Sequence, residues 1–331
     1  MPLPTYTDVH VDTALTDISV GYIQDDTNFV ADRVFPKVGV VHRSDLYYKW
    51  SKDDFLRDEV RPRADTEESA GMGVSLTTDS YACTAYGLHT DIGDQARANQ
   101  DPAVDLESSL LQVLMQKHRI KRDRDFATKY MKTSLWGTDI TGVVSAPSAG
   151  QTIQWSDDLS DPVTDIANGE SMILENTGFM PNVLVMGFRV FQALRKHPLV
   201  IDRIKYTMRA DASNITEALL AQLFGIDDVV VGKAAYNTSI EGTSPAVNSL
   251  IIGKSALLAY RAPAPGLMRP SAGYIFPWIG LPGIANSEGV AVWTERMPGR
   301  GMNTIRIDSQ MAYDMKAVST DLGYYFTTVV A

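Results

Sequence analysis

The stretch DPAVDLESSLLQVLMQKHRIKRDRDFATKYMKTSLW, Asp101 to Trp136, constrains the fold more than any other part of the chain. No Pro or Gly interrupts it between Ala103 and Trp136, so nothing in it breaks a helix. Asp101 suits an N-cap, and Pro102 suits the first helical position, where a missing N–H costs nothing. Asp105 and Glu107 at the start, with Lys129 and Lys132 near the end, match the helix dipole. Gly137 is the expected stop. At a rise of about 1.5 Å per residue such a helix is about 45–50 Å long, more than a compact domain usually needs. Its first half carries Val104, Leu106, Leu110, Leu111, Val113, Leu114 and Met115. Its second half carries Lys117, His118, Arg119, Lys121, Arg122, Asp123, Arg124 and Asp125. This predicts a packed first half and a solvated second half, a spine crossing a surface. An ordinary amphipathic helix fits the same residues.

A chain of 331 residues, 44% hydrophobic and 21% charged, can bury a real core in one large or two smaller domains. Its formal net charge of -10 gives the whole chain no footprint for tight nucleic-acid binding. A single cysteine, Cys83, excludes an intrachain disulfide framework and points to folding in a reducing compartment. No apolar run reaches membrane-spanning length. The N-terminus, MPLPTYTDVHVDTAL, lacks the basic-then-apolar order of a signal peptide. Synthesis in a cytoplasm, with no membrane partner, is expected.

Residues 1–32 are polar, without a core of their own, and read as either a disordered tail or an arm that lies on something else. Arg33 to Trp50 reads as a strand through Val34, Val38, Val40, Val41, Leu46, Tyr47, Tyr48 and Trp50. Residues 51–70 are charged and loop-like, and Asp53-Asp54 and Glu67-Glu68 within them read as solvated. Met72 to Thr90 fits the second arm of a long hairpin. An isolated two-stranded ribbon is marginal in water, so this hairpin needs a partner surface. Alternatively, its strands join a sheet formed later in the chain.

After a Gly/Ser/Pro-rich stretch, Asp161 and Pro162 repeat the cap-and-first-position pair ahead of Val163, Ile166, Met172 and Ile173. Val183 to Met186 is a short buried strand. Helices follow over Phe188 to Lys196, Leu199 to Tyr206, and Ile215 to Phe224, the last capped by Asn214. Val229 to Val231 and Ser249 to Ile252 are strands. Helix and strand alternate here, which predicts an α/β lobe. Val183 to Met186 should lie beside Val229 to Val231, with Leu194, Leu219, Leu220 and Phe224 packed on them. The β character returns at Tyr274 to Trp278, Val290 to Glu295, Thr304 to Ile307, and Asp314 to Phe326.

The order NTG, MPNVLVMG, FRVFQALRKHP, IDRIKY and NITEALLAQLFGIDDVVVGKA, Pro181 to Ala234 above all, resembles the central lobe of tailed-bacteriophage major capsid proteins with the Hong Kong 97 fold. The resemblance implies an α+β chain with an N-terminal arm (1–32), an extended hairpin or E-loop (33–90) and a P domain (91–159) holding the spine helix 101–136. It further implies an A domain (160–310) and a return strand of the P domain (311–331). Its implied function is a structural one: self-assembly into the hexamers and pentamers of an icosahedral virion shell enclosing double-stranded DNA, built in the host cytoplasm. Separate scaffolding, portal and decoration proteins are the implied partners. Some family members begin with a fused scaffolding region, for which a spine starting near 101 leaves no room. An encapsulin-type nanocompartment shares the fold and is the alternative. An α/β enzyme with a site in the 180–235 lobe is the alternative of another class.

That enzyme lacks a constellation. His10, His42, His89, His118 and His197 are scattered, without HExxH or Cys pairs. His42, Ser44 and Asp45 are neighbours, but in a strand Asp45 points away from the other two. No catalytic residue, cofactor or metal is therefore expected. The candidate sites are intersubunit contacts in the hairpin. Tyr47, Tyr48, Trp50 and Phe55 are aromatic anchors, and Arg57, Arg61, Arg63, Glu67 and Glu68 suit charge-complementary contact. Lys117 to Lys132 holds seven Lys/Arg against two Asp. It is expected to be a solvated face or to make intersubunit salt bridges, with weak sequence-blind contact to packaged DNA as the other reading.

Overall fold

The computed structural model describes residues 23–99, 106–207, 215–266, 269–281, 290–296 and 304–331. A 3-10 turn, Asp26–Asn28, precedes α1 (Ala31–Val34), β1 (Ser44–Trp50), α2 (Lys52–Phe55), β2 (Leu76–Ala82), β3 (Thr84–Ile92) and α3 (Asp94–Ala98). Next come α4 (Leu106–Tyr130), β4 (Thr138–Val143), β5 (Gln151–Ile153), α5 (Pro162–Thr177), β6 (Val183–Gly187), α6 (Phe188–Lys196) and α7 (Pro198–Thr207). Then follow α8 (Glu217–Phe224), β7 (Asp228–Gly232), β8 (Ala235–Asn237), β9 (Asn248–Leu250), β10 (Ala256–Ala259), β11 (Gly273–Pro277), β12 (Val290–Arg296), β13 (Ile305–Ala317) and β14 (Gly323–Thr327).

The main core is a six-stranded sheet, ordered β5-β4-β14-β10-β6-β7. β6 and β7 pair in parallel, Leu184 opposite Val229 and Met186 opposite Val231, as the sequence predicts. Both are apolar at successive positions because both sheet faces are covered. Leu194 and Leu220 are fully buried on this sheet. Leu219 is only half-buried, and Leu223 packs on the core instead. The expected cap of α5 is present: the Asp161 carboxylate accepts from Thr164 N–H at 3.1 Å, Pro162 opens the helix, and Gly178 closes it at φ 76. The cap of α8 is Thr216, two residues later than expected; Asn214 lies outside the described residues.

The second sheet is built on β13, a strand of 13 residues paired with β3, β11 and β12. The sequence suggests two strands here, Thr304 to Ile307 and Asp314 to Phe326. Polar Ser309 disguises the continuity. It is completely buried, yet its hydroxyl donates to Leu88 O at 2.7 Å and meets His118 Nε2 at 2.8 Å, so it costs the strand nothing. β14 is a separate strand of the six-stranded sheet, between β4 and β10. Sheet membership therefore does not follow the expected divisions at 159/160 and 310/311.

The spine also departs from expectation. α4 ends at Tyr130, not Trp136, and the expected cap at Asp101 and Pro102 lies outside the described residues. Trp136 turns back into the core, 5% exposed, and its indole N–H donates to Tyr130 O at 2.8 Å. Tyr325 donates its hydroxyl proton to Met131 O at 2.8 Å. One nearby and one distant side chain thus satisfy carbonyls that helix termination leaves open. The wet and dry halves are reversed: Leu111 and Val113 are 36% and 40% exposed, whereas His118, Arg122 and Asp123 are buried. Leu114, His118, Arg122, Phe126 and Tyr130 form one buried row at four-residue spacing. The polar members are buried because each has a partner in a remote segment.

Candidate assembly surface

The hairpin is real but shorter than expected. β1 and β2 pair antiparallel from Ser44 opposite Ala82 to Trp50 opposite Leu76. Ala31–Val34 is helical instead of extended, and residues 37 and 40 make isolated bridges to Ile275 and Trp278. The second arm divides at Cys83: β2 belongs to the ribbon, whereas β3 joins β13. The alternative of a strand in a later sheet is right for β3. At the division Cys83 is 2% exposed, with its thiol on Phe276 O. Burial pushes that thiol up to about 11, an unreactive state.

The ribbon has two unlike faces, as the two-residue period dictates. Tyr47 faces inward, tilted over Phe276 at 5.8 Å between ring centroids, and donates to Asp79 across the ribbon at 2.9 Å. Leu46, Tyr48, Trp50 and Leu76 face outward, 62%, 65%, 39% and 46% exposed. Phe55 meets Trp50 edge-on at 6.1 Å. Asp54 is not simply solvated: it accepts from Ser75 N–H at 2.7 Å and from the Ser75 hydroxyl, and these bonds hold its carboxyl below the usual range. Arg57 pairs with Asp54 at 3.3 Å and Glu59 at 3.0 Å within the tip. Arg61, Arg63, Glu67 and Glu68 stand exposed along the tip. Leu76 completes the apolar face. Sequence reasoning passes over it because its place opposite Trp50 follows only from the register.

The root of the arm clasps the spine to both sheets. The buried Asp123 carboxylate accepts from Val30 N–H at 3.0 Å and from Ala31 N–H at 2.8 Å, capping α1 from another helix. Burial nevertheless raises its pKa to about 6. Arg122 bonds Asp32 at 2.8 Å, Lys37 bonds Asp32 at 3.0 Å, Arg119 pairs with Asp26, and Arg33 reaches Asp228 at 3.1 Å. Lys121 pairs with Asp125 at 2.6 Å, and Arg124 lies 4.5 Å over the Tyr236 ring. The basic run is therefore engaged largely inside the subunit, which corrects the expectation of a solvated or intersubunit face. Lys117, Lys129 and Lys132 remain exposed.

His118 is buried, and desolvation and Arg122 push its pKa down. Since Ser309 donates its one proton to Leu88 O, His118 Nε2 carries the proton between them. Ser160 likewise donates to Asp157 O at 2.7 Å and so accepts from His197 Nε2 at 3.0 Å. Both pairs are packing devices. His42, Ser44 and Asp45 are exposed, and Asp45 bonds the Leu46 N–H at 2.8 Å. Among the described residues no cluster of three or more His, Cys, Asp or Glu could hold a metal ion, and no helix is long and apolar enough to cross a membrane.

No family model matches the chain. The major capsid protein of Pseudomonas phage JBD67 is 26% identical over 344 aligned positions, covering 97% of both chains. That of Burkholderia phage BcepMu is 25% identical over 231 residues, 68% of this chain and 70% of the relative. A phage-related protein of Bordetella bronchiseptica RB50 superposes with a TM-score of 0.68 at 19% identity, covering 92% of this chain and 94% of its own. The capsid protein of Cyanophage P-SCSP1u gives 0.63 at 9% identity, over 97% and 93%. An encapsulin of Synechococcus elongatus gives 0.52 at 11% identity, over 95% and 94%. The chain has the α+β Hong Kong 97-type fold of phage capsids and is related in sequence to phage major capsid proteins.

Proposed function

We propose that this capsid protein closes into hexamers and pentamers of an icosahedral shell around double-stranded DNA, assembled in the host cytoplasm. The observation that carries the reading is the outward face of the ribbon. A subunit with a well-filled core leaves Leu46, Tyr48, Trp50 and Leu76 in water on a two-stranded projection. Exposed contiguous apolar surface of this kind marks an interface. Tyr48, Trp50 and Phe55 are the anchors, Tyr47 sets the ribbon on its own subunit, and Arg57, Arg61, Arg63, Glu67 and Glu68 set register with the neighbour. Ring closure follows because each subunit offers unlike, head-to-tail surfaces. Many weak contacts then hold the shell.

In this reading residues 1–32 are the arm, 33–90 the E-loop, 91–159 with 311–331 the P domain, and 160–310 the A domain. The protein performs no catalysis. Lys117, Lys129 and Lys132 give at most a weak, salt-dependent contact with packaged DNA. Scaffolding, portal and decoration proteins are its expected partners. Electron microscopy of the purified protein, alone and with co-expressed phage proteins, tests this: closed shells are expected, and a small oligomer under every condition would overturn it. The encapsulin likeness supports a second reading, a cellular nanocompartment. Particles filled with enzyme cargo and free of genome would favour it.

A further inference from the structure

The ribbon does not stand clear of its own subunit. Its root is built in: Tyr81 is 7% exposed and stacks on Phe276 at 5.0 Å, and Ala82 N–H donates to the Asp314 carboxylate at 3.0 Å. Past the root, the chain touches the body again at α2. Lys52 Nζ lies 2.7 Å from Asp321 Oδ2, in the turn between β13 and β14. Leu56, just after α2, lies alongside Gly178 at the end of α5; a methyl group there would sit 3.8 Å from Leu56 Cδ2. Both side chains of the ion pair are more than a third exposed, at 41% and 37%. Residues 60 to 80 beyond it are exposed throughout. A pair so open to water is weak and easily screened.

These contacts fix where the ribbon points. A second copy that drew the ribbon tip toward itself would have to break these contacts. We propose that Lys52 and Asp321 form a latch that parks the ribbon on its own subunit before assembly and opens as the ribbon engages a second copy. The proposal rests on the shell-forming reading. The latch is weak by construction, so it restrains assembly without preventing it. A subunit whose competent state is only part of the population assembles more slowly by that fraction.

The test compares unassembled subunits of the parent, Asp321→Asn, the charge exchange Lys52→Asp with Asp321→Lys, and Lys52→Cys with Asp321→Cys joined by a short cleavable bismaleimide. Circular dichroism checks folding. Asp321→Asn should be cut faster by protease within residues 57–75. By light scattering, its shells should appear up to about fivefold sooner, the range an exposed pair can supply. Raising salt should hasten the parent more than this variant. The charge exchange should restore parental behaviour. Bridged subunits should stay unassembled until the bridge is cleaved. Parental cutting and onset in Asp321→Asn, a charge exchange that restores nothing, or normal shells from bridged subunits would each overturn the latch. A parent that never forms shells would instead sink the capsid reading.

Discussion

Asp123 shows how one side chain can decide where a whole segment goes. It sits on α4 but caps α1, accepting two backbone N–H groups that burial would otherwise leave unpaired. Asp123→Ala should cost about 2–4 kcal/mol, the penalty for leaving two buried donors without an acceptor. A urea melt measures it. The pH dependence has a definite sign. Folding raises this carboxyl's pKa from the ordinary carboxylate range to about 6, burial being the largest cause. Between those values the folded state holds the proton more tightly than the unfolded state. The group's stabilising contribution is therefore full at the acid end and is lost as pH rises through about 6. The Asp123→Ala penalty should be larger at about pH 4 than at about pH 7; an equal or reversed penalty would refute the assignment. Gly323 is a second such position. A Cβ there would stand 2.1 Å from the Trp136 ring, so Gly323→Ala must displace the indole that closes α4. A loss of about 1–3 kcal/mol or more is expected, with a lowered melting temperature as the readout.

At the scale of elements, α8 against β7 is the plainest case. EALLAQLF has Leu220, Ala221 and Phe224 buried, with Thr216 and Gly225 as caps. Leu220 is completely buried, so Leu220→Ala should cost about 2–5 kcal/mol, depending on how far the cavity collapses. An unchanged midpoint in chemical denaturation would contradict the packing. α8 was legible beforehand because an apolar period and a glycine stop lie within about a dozen residues, although its cap is Thr216 and not the expected Asn214. The end of α4 was not. Its stop depends on Trp136 folding back onto Tyr130 O and on Tyr325 reaching Met131 O, and the second of these partners lies almost 200 residues away in sequence. The polarity of α4 misled for a related reason. Arg122 and Asp123 are charged, but their partners in residues 30–32 take them out of water, and no local pattern announces such pairs.

For the whole molecule, the division that matters is between the packed body and the ribbon tip. Replacing residues 51–70 by a short Gly-containing turn should leave the body folded, because the root at Tyr81 and Cys83 and both main sheets remain. Circular dichroism should stay near the parent's, while shell formation should fail or give malformed particles. Unfolding of the subunit would mean that the tip belongs to the body's core. Normal shells would mean that the tip is decoration.

Sequence by itself determined the elements that local chemistry can specify. They are the buried strand Val183 to Met186 with its parallel neighbour, the Asp161-Pro162 start of α5, the presence of a spine helix, and a ribbon with aromatic residues along it. Only tertiary structure decided which sheet each strand joined, where the spine stopped, and which charges were buried. Ser309 and Asp123 each look wrong for their surroundings when read along the chain. Each is made right by a hydrogen-bond partner that only the folded chain brings within reach. A short apolar run carries its own burial signal, whereas a buried polar group acquires its meaning from a partner far away in sequence.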